Sequence, residues 1–151
     1  MDYQITQLTT ADVGVLKQLL RVFGEAFGDH DAYQGAVPDD GYLEKLLATP
    51  TFIVVVARLG DEVVGGLAAY ELQKFERDRR EIYIYDLAVA EDHRRRGLAR
   101  SMILELKRLA KARGAYVIYV QADHIDAPAI ALYDSLGTRE EVLHFDFRVD
   151  D

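Results

Sequence analysis

The sequence predicts a mixed α/β fold: an antiparallel sheet continued by a strand-helix-strand-helix-strand tail, not a doubly wound parallel sheet. Three observations carry this. Phe52 to Arg58 is a continuous apolar, valine-rich run, and Gly60-Asp61 turns the chain into the next strand, Val63 to Leu72, so the two form a hairpin. Glu81 to Ala90, rich in aromatic and β-branched residues, is a third long strand reached through a charged connection rather than a helix. Only after it do helical and strand patterns alternate. At 151 residues, half of them hydrophobic, the chain suits one domain with one core.

The elements follow in order. Ile5 to Leu8 is a short first strand. Thr10-Ala11-Asp12 offers an N-cap, and Val13, Leu16, Leu19, Leu20 and Phe23 recur at helical spacing. Gly28 to Gly41, with glycines and aspartates, reads as a loop, and Tyr42 to Leu47 as a short helix. After the three long strands, Gly97 to Arg113 carries Leu98, Met102, Leu106, Leu109 and Ala110 along one helical face, and Gly114 ends it. Ala115 to Ala122 is a buried strand. Ala127 to Leu136 is a helix with proline in its first turn, ended by Gly137, and Val142 to Val149 is a last strand.

Composition excludes several classes. There are no cysteines, so disulfides, thiolate metal sites and a cysteine nucleophile are out. The histidines lack metal-ligand spacing, so no metal is expected. No window approaches the roughly 18 uninterrupted apolar residues of a membrane helix. The N-terminus lacks the pattern of a signal peptide, which leaves the cytoplasm as the default compartment. A formal net charge of -8 argues against nucleic acid as a partner and suits a cationic one.

Tyr85-Asp86-Leu87-Ala88-Val89-Ala90-Glu91-Asp92-His93-Arg94-Arg95-Arg96-Gly97-Leu98-Ala99 is the most informative stretch. A buried strand ends and a basic, glycine-containing turn opens a helix. The first N–H groups of a helix have no internal partner, and with the helix dipole they form an anion site. Three arginines at that end oppose the dipole unless an anion compensates them. The turn is neither a Walker A loop nor a Rossmann fingerprint, because it has one glycine and no following Gly-Lys-Ser/Thr.

Arg94, Gly97 and Ala99 resemble the Arg/Gln-x-x-Gly-x-Gly/Ala motif of the GNAT family of acyl-CoA N-acyltransferases. Asp126, Ala129, Leu132, Tyr133 and Gly137 resemble that family's Asn-x-x-Ala-x-x-Leu-Tyr-x-x-x-Gly helix, with aspartate replacing asparagine. The resemblance implies a GNAT fold with splayed central strands and acetyl-CoA as co-substrate. The loop Arg94, Arg95, Arg96, Gly97, Leu98 and Ala99 would hold the pyrophosphate. The strand Leu87, Ala88, Val89 would part from Tyr119 to Gln121 and pair with the pantetheine arm. Asp126 and Ala129 would complete the cofactor site. The blocks Glu81 to Val89, Gly114 to Asp123 and Arg139 to Asp146 further resemble aminoglycoside 3-N-acetyltransferases, implying a cationic aminoglycoside acceptor and antibiotic resistance.

Acetyl transfer needs a base for the amine, a donor for the carbonyl oxygen and an acid for the leaving thiolate. Tyr133 is the candidate acid. A backbone N–H near Leu87 to Val89 would meet the oxygen. Asp86, a carboxylate in an apolar strand, is the candidate base, directly or through water; its alternatives are pairing with an arginine or a backbone amide, or an acceptor contact. Strict alternation puts Tyr83, Tyr85, Leu87 and Val89 opposite Asp86, and a bulge would reverse that parity. Tyr83, Asp123, Asp29 and Glu140 are the candidate acceptor contacts, with Asp31, Asp39, Asp40 and Glu141 around an acidic cleft. His124 is a weaker base candidate. Competing expectations are acetylation of a polyamine, another small amine or a protein terminus, and a non-catalytic acyl-CoA sensor. Pairing of the last strand across a two-fold axis would give a homodimer.

Overall fold

The computed structural model describes residues 1–150. They fall into two compact units, Met1–Gln121 and a second that begins at Ala122. The first contains β1 (Tyr3–Gln7), α1 (Val13–Phe27), α2 (His30–Gln34), α3 (Asp40–Leu47), β2 (Phe52–Leu59), β3 (Glu62–Gln73), β4 (Arg80–Val89), a 3-10 turn (Glu91–His93), α4 (Leu98–Ala112) and β5 (Ala115–Val120). The second contains α5 (Ala127–Leu136).

One five-stranded sheet runs in the order β1-β2-β3-β4-β5, antiparallel except for the parallel pair β4-β5. This is the mixed α/β sheet expected of the sequence. Both faces of its centre are covered, so β2 is apolar at every inner position rather than alternating. On one face Val54 and Val56 join Leu8, Leu16, Leu19, Phe23 and Leu43, which puts α1 and α3 there. Ile53 and Val55 point the other way, toward the face that α4 crosses with Leu98, Met102, Ile103, Leu106 and Ala110 buried.

The structure departs from the expected elements in three places. Asp12 stands at the N-cap of α1, but its side chain makes no capping hydrogen bond; its Oδ2 accepts from the Thr9 N–H at 2.7 Å and the Thr9 hydroxyl at 3.1 Å. The segment read as a loop, Gly28 to Gly41, contains α2 and the start of α3. Two of its aspartates are N-caps: Asp29 accepts from the Ala32 N–H at 3.1 Å and Asp39 from the Tyr42 N–H at 2.8 Å. Finally, the expected strand Val142 to Val149 joins no ladder among the described residues, which hold five strands in all. Apolar alternation is only half of a strand; the other half is a partner for its backbone, and the second unit contains no other strand.

Candidate active site

The centre of the site is an irregularity in β4. Ala68 pairs with Asp86 but Ala69 with Ile84, so Tyr85 is an extra residue, a β-bulge. Cross-strand partners point to the same side. Tyr83 lies opposite Tyr70, and Asp86 opposite Ala68. Tyr70 and Ala68 are two apart on β3 and share a face, so Tyr83 and Asp86 share it too. Strict alternation, which separates them, is corrected here by the bulge. Ile82 and Ile84 are left to fill the opposite face, where both are buried.

Asp86 is half-buried on the face that carries α1 and α3. Tyr33 of α2 donates its hydroxyl to Asp86 Oδ2 at 3.0 Å. The Tyr33 ring is fixed against Phe23 and Phe27 of α1, with centroids 5.9 and 5.6 Å away. Burial pushes the Asp86 carboxyl above its ordinary range, and the Tyr33 hydrogen bond pulls it part of the way back. Burial also raises the Tyr33 phenol, and the Asp86 charge adds to it. Asp86 is in no ion pair among the described residues, so the arginine-paired alternative does not hold.

Tyrosines surround this carboxylate. Tyr83 stacks on Tyr119 at 4.8 Å and meets Tyr85 edge-on at 6.0 Å, and Tyr70 meets Tyr85 in the same way. The Tyr83 hydroxyl donates to Gln121 Oε1 at 3.0 Å. Burial raises the phenols of Tyr70 and Tyr83. Asp29, expected as an acceptor contact, spends one oxygen on the cap of α2 and adds negative charge near Tyr33.

The parallel pairing of β4 with β5 ends at Ile84 and Val120. Tyr119 and Val120 are still paired, so the parting begins slightly later than expected. Beyond it Leu87, Ala88 and Val89 pair only with β3, through Leu67, Gly66 and Gly65. Their other backbone edge has no strand partner among the described residues. The chain then enters the 3-10 turn, tied to β1 by a 2.9 Å hydrogen bond between the Tyr3 hydroxyl and His93 Nδ1. Arg94 Nε donates to the Val89 carbonyl at 2.9 Å, which sets its guanidinium across the turn. Arg95 and Gly97 have φ of 61° and 74°, and Gly97 is the residue that opens α4. A Cβ on Gly97 would meet nothing within 4 Å, so the space outside the turn is open. Arg94, Arg95 and Arg96 are exposed and have no carboxylate partner among the described residues. A free strand edge leading to an uncompensated cationic helix start fits a long ligand with a polar arm and a phosphate end.

The second unit is built around α5. Asp126 Oδ1 accepts from the Ala129 N–H at 3.2 Å, so the aspartate in the family's asparagine position is the helix N-cap. The Asp123 carbonyl accepts from the Asp126 N–H at 3.0 Å and closes the turn before it. Burial pushes the Tyr133 phenol up to about 12, with the Asp126 charge adding to the effect. Glu140 is exposed, while Arg139 pairs with Asp134 and with Glu141. His144 pairs with Asp146.

Within the first unit, the structure thus brings together Tyr83, Asp86, the edge Leu87 to Val89 and the turn Arg94 to Ala99. Tyr33 and Tyr70 were missed. Tyr33 lies in a segment of glycines and aspartates, and its one signal was an aromatic ring among polar neighbours. No group of three or more His, Cys, Asp or Glu among the described residues is arranged to hold a metal, and no helix is long and apolar enough to cross a membrane.

Known proteins carry the same architecture. An aminoglycoside acetyltransferase from an uncultured soil metagenomic sample is 55% identical, with 99% of this chain and 100% of that chain covered and a TM-score of 0.97. A second such enzyme from an uncultured soil sample, solved in complex with sisomicin, is 31% identical over 98% of this chain and 97% of its own, with a TM-score of 0.91. The ribosomal protein bS18 alanine N-acetyltransferase of Escherichia coli K12 is 32% identical over 79 residues, 52% of each chain. This chain spans about half the length of that relative, and 40% of a rat N-acetyltransferase 8B that it matches at 24% identity. The family model of the GNAT acetyltransferases matches residues 16–138, and the chain belongs to that family.

Proposed function

We propose that the protein transfers the acetyl group of acetyl-CoA to the 3-amino group of an aminoglycoside, in a ternary complex. The observation that carries this reading is the half-buried Asp86 carboxylate, placed by the bulge beside the open edge of β4 on a face rich in tyrosine. The 55% identity to a soil aminoglycoside acetyltransferase supports the acceptor class. The turn Arg94 to Ala99 would hold the pyrophosphate, and the backbone of Leu87 to Val89 the pantetheine arm. Acetyl-CoA supplies an activated acyl thioester.

The amine nitrogen bonds to the acetyl carbon as the carbon–sulfur bond breaks. Asp86 takes the proton that the amine must lose, and a β4 backbone N–H meets the charge growing on the carbonyl oxygen. Tyr133 returns a proton to the departing sulfur. A phenol raised to about 12 is fully protonated at neutral pH and available for that donation. Tyr133→Phe is expected to lower turnover about 10²-fold and leave the KM for acetyl-CoA within about 2-fold. Unchanged turnover in a steady-state assay would remove Tyr133 as the acid.

The reading as a whole is tested by thiol release from acetyl-CoA against gentamicin-like and kanamycin-like aminoglycosides, polyamines and peptide amines. Release with an aminoglycoside, and acetyl on N3 of the product by NMR, is the expected result. Turnover with a peptide N-terminus alone would favour the chemistry of the bS18 relative instead.

A further inference from the structure

We infer that Tyr33 is a positioning residue for the Asp86 carboxylate, through which the short helix α2 sets the orientation and proton affinity of the base. This rests on the reading of Asp86 as that base.

The geometry is specific. Among the described residues the Tyr33 hydroxyl is the one hydrogen-bond partner of the Asp86 side chain, 3.0 Å from Oδ2. With Oδ2 occupied, Oδ1 is the oxygen left for a proton from the acceptor. A carboxylate on a bulged strand has freedom in χ2 that the strand does not remove. A donor on a separate element removes it. Tyr33 suits the task because its ring packs against both Phe23 and Phe27 of α1. Asp29 caps α2 four residues earlier and fixes the helix that presents the ring.

The groups around Asp86 are tyrosines from three elements. Tyr33 comes from α2, Tyr70 from β3, and Tyr83 and Tyr85 from β4, with the Asp29 carboxylate beyond Tyr33. Helix α1 presents Phe23 and Phe27 to the Tyr33 ring, not a charge. No lysine or arginine among the described residues pairs with Asp86, so the Tyr33 hydroxyl is the group that favours its ionised form. Removing that hydroxyl leaves burial unopposed, and the carboxylate becomes harder to ionise.

The test is the pH profile of kcat/KM for wild type, Tyr33→Phe and Asp86→Asn, measured with one accepted amine. Tyr33→Phe keeps the ring and its packing, so the fold is retained, and circular dichroism checks this. The expected result is an acidic limb displaced to higher pH, turnover on the plateau reduced about 10-fold, and an unchanged KM for acetyl-CoA. A Tyr33→Phe profile that superimposes on wild type, at full or reduced turnover, overturns the positioning role. Asp86→Asn separates the two layers. Loss of the acidic limb in that variant upholds the base, so that an unshifted Tyr33→Phe profile counts against Tyr33 alone. Retention of limb and turnover in Asp86→Asn overturns the base, and the positioning role with it.

Discussion

Asp86→Asn is expected to lower turnover about 10²- to 10⁴-fold, the range associated with loss of a positioned general base. The substitution is close to isosteric. Asparagine Oδ1 accepts from the Tyr33 hydroxyl as the aspartate does, so the bulge and the α2 contact are retained. The KM for acetyl-CoA should stay near wild type, because the proposed mechanism gives the carboxylate a role toward the acceptor amine and none toward acetyl-CoA. An effect confined to acceptor affinity would make Asp86 a binding group.

Stability gives an independent check on the same variant. Burial raises the Asp86 pKa in the folded chain. Between the ordinary carboxylate value and the raised one, the folded state holds more protons than the unfolded state. Unfolding free energy therefore falls as pH rises through that window. Above it, the ionised group is a net cost to the fold, and asparagine removes that cost. The variant should melt above wild type at neutral pH and lose this advantage below the ordinary aspartate range. A variant that is inactive and more stable cannot be explained by unfolding. Thermal melts across the acidic range read the result directly, and a variant less stable at neutral pH would contradict the stated environment of Asp86.

The second large effect is expected where α1 meets β3. A Cβ added at Gly66 would overlap one Cδ atom of Leu19 and lie 2.8 Å from the other and 3.1 Å from its Cγ. Leu19 is fully buried, so its side chain has little room to retreat. Gly66→Ala should cost about 1–3 kcal/mol by overpacking. Leu19→Ala should cost about 2–5 kcal/mol by leaving a cavity. The two faults are complementary, because the new methyl enters the space that the leucine vacates. The double variant should thus be less destabilised than the sum, with a coupling of about 0.5–3 kcal/mol. Urea unfolding of the four proteins in the cycle measures it. Simple additivity would show that the contact does not limit the approach of α1 to the sheet. Since α1 carries Phe23 and Phe27, which pack against Tyr33, loosening this contact should also lower turnover before the protein unfolds.

Much of this was legible in the order of residues. Continuous valine-rich runs are strands buried on both faces, and Gly60-Asp61 leaves a hairpin as the way to join two of them. The expectation of an anion at the start of α4 came from arginines that oppose a helix dipole, and the structure leaves those arginines exposed with no carboxylate partner among the described residues. The caps of α2 and α3 were less legible. Aspartates among glycines read as loop, yet each short helix needs only one such side chain to begin. The last strand was misjudged for the opposite reason: Leu143, Phe145, Phe147 and Val149 alternate as a strand does, but pairing depends on a partner that sequence pattern cannot name.

The sequence by itself determined the mixed α/β class, the GNAT resemblance and the identity of Asp86 as an anomalous carboxylate in an apolar strand. These are properties of local pattern, because burial periodicity and helix-end chemistry act over a few residues. Only the tertiary structure decided which way Asp86 points and what it touches. One extra residue, Tyr85, reverses the parity of β4 against β3 and puts Asp86 on the face of Tyr83. A bulge is a relation between two strands and has no signature in either one alone. The Tyr33 hydroxyl reaches Asp86 across 53 positions of sequence for the same reason: α1 must first pack on the sheet before α2 can present it.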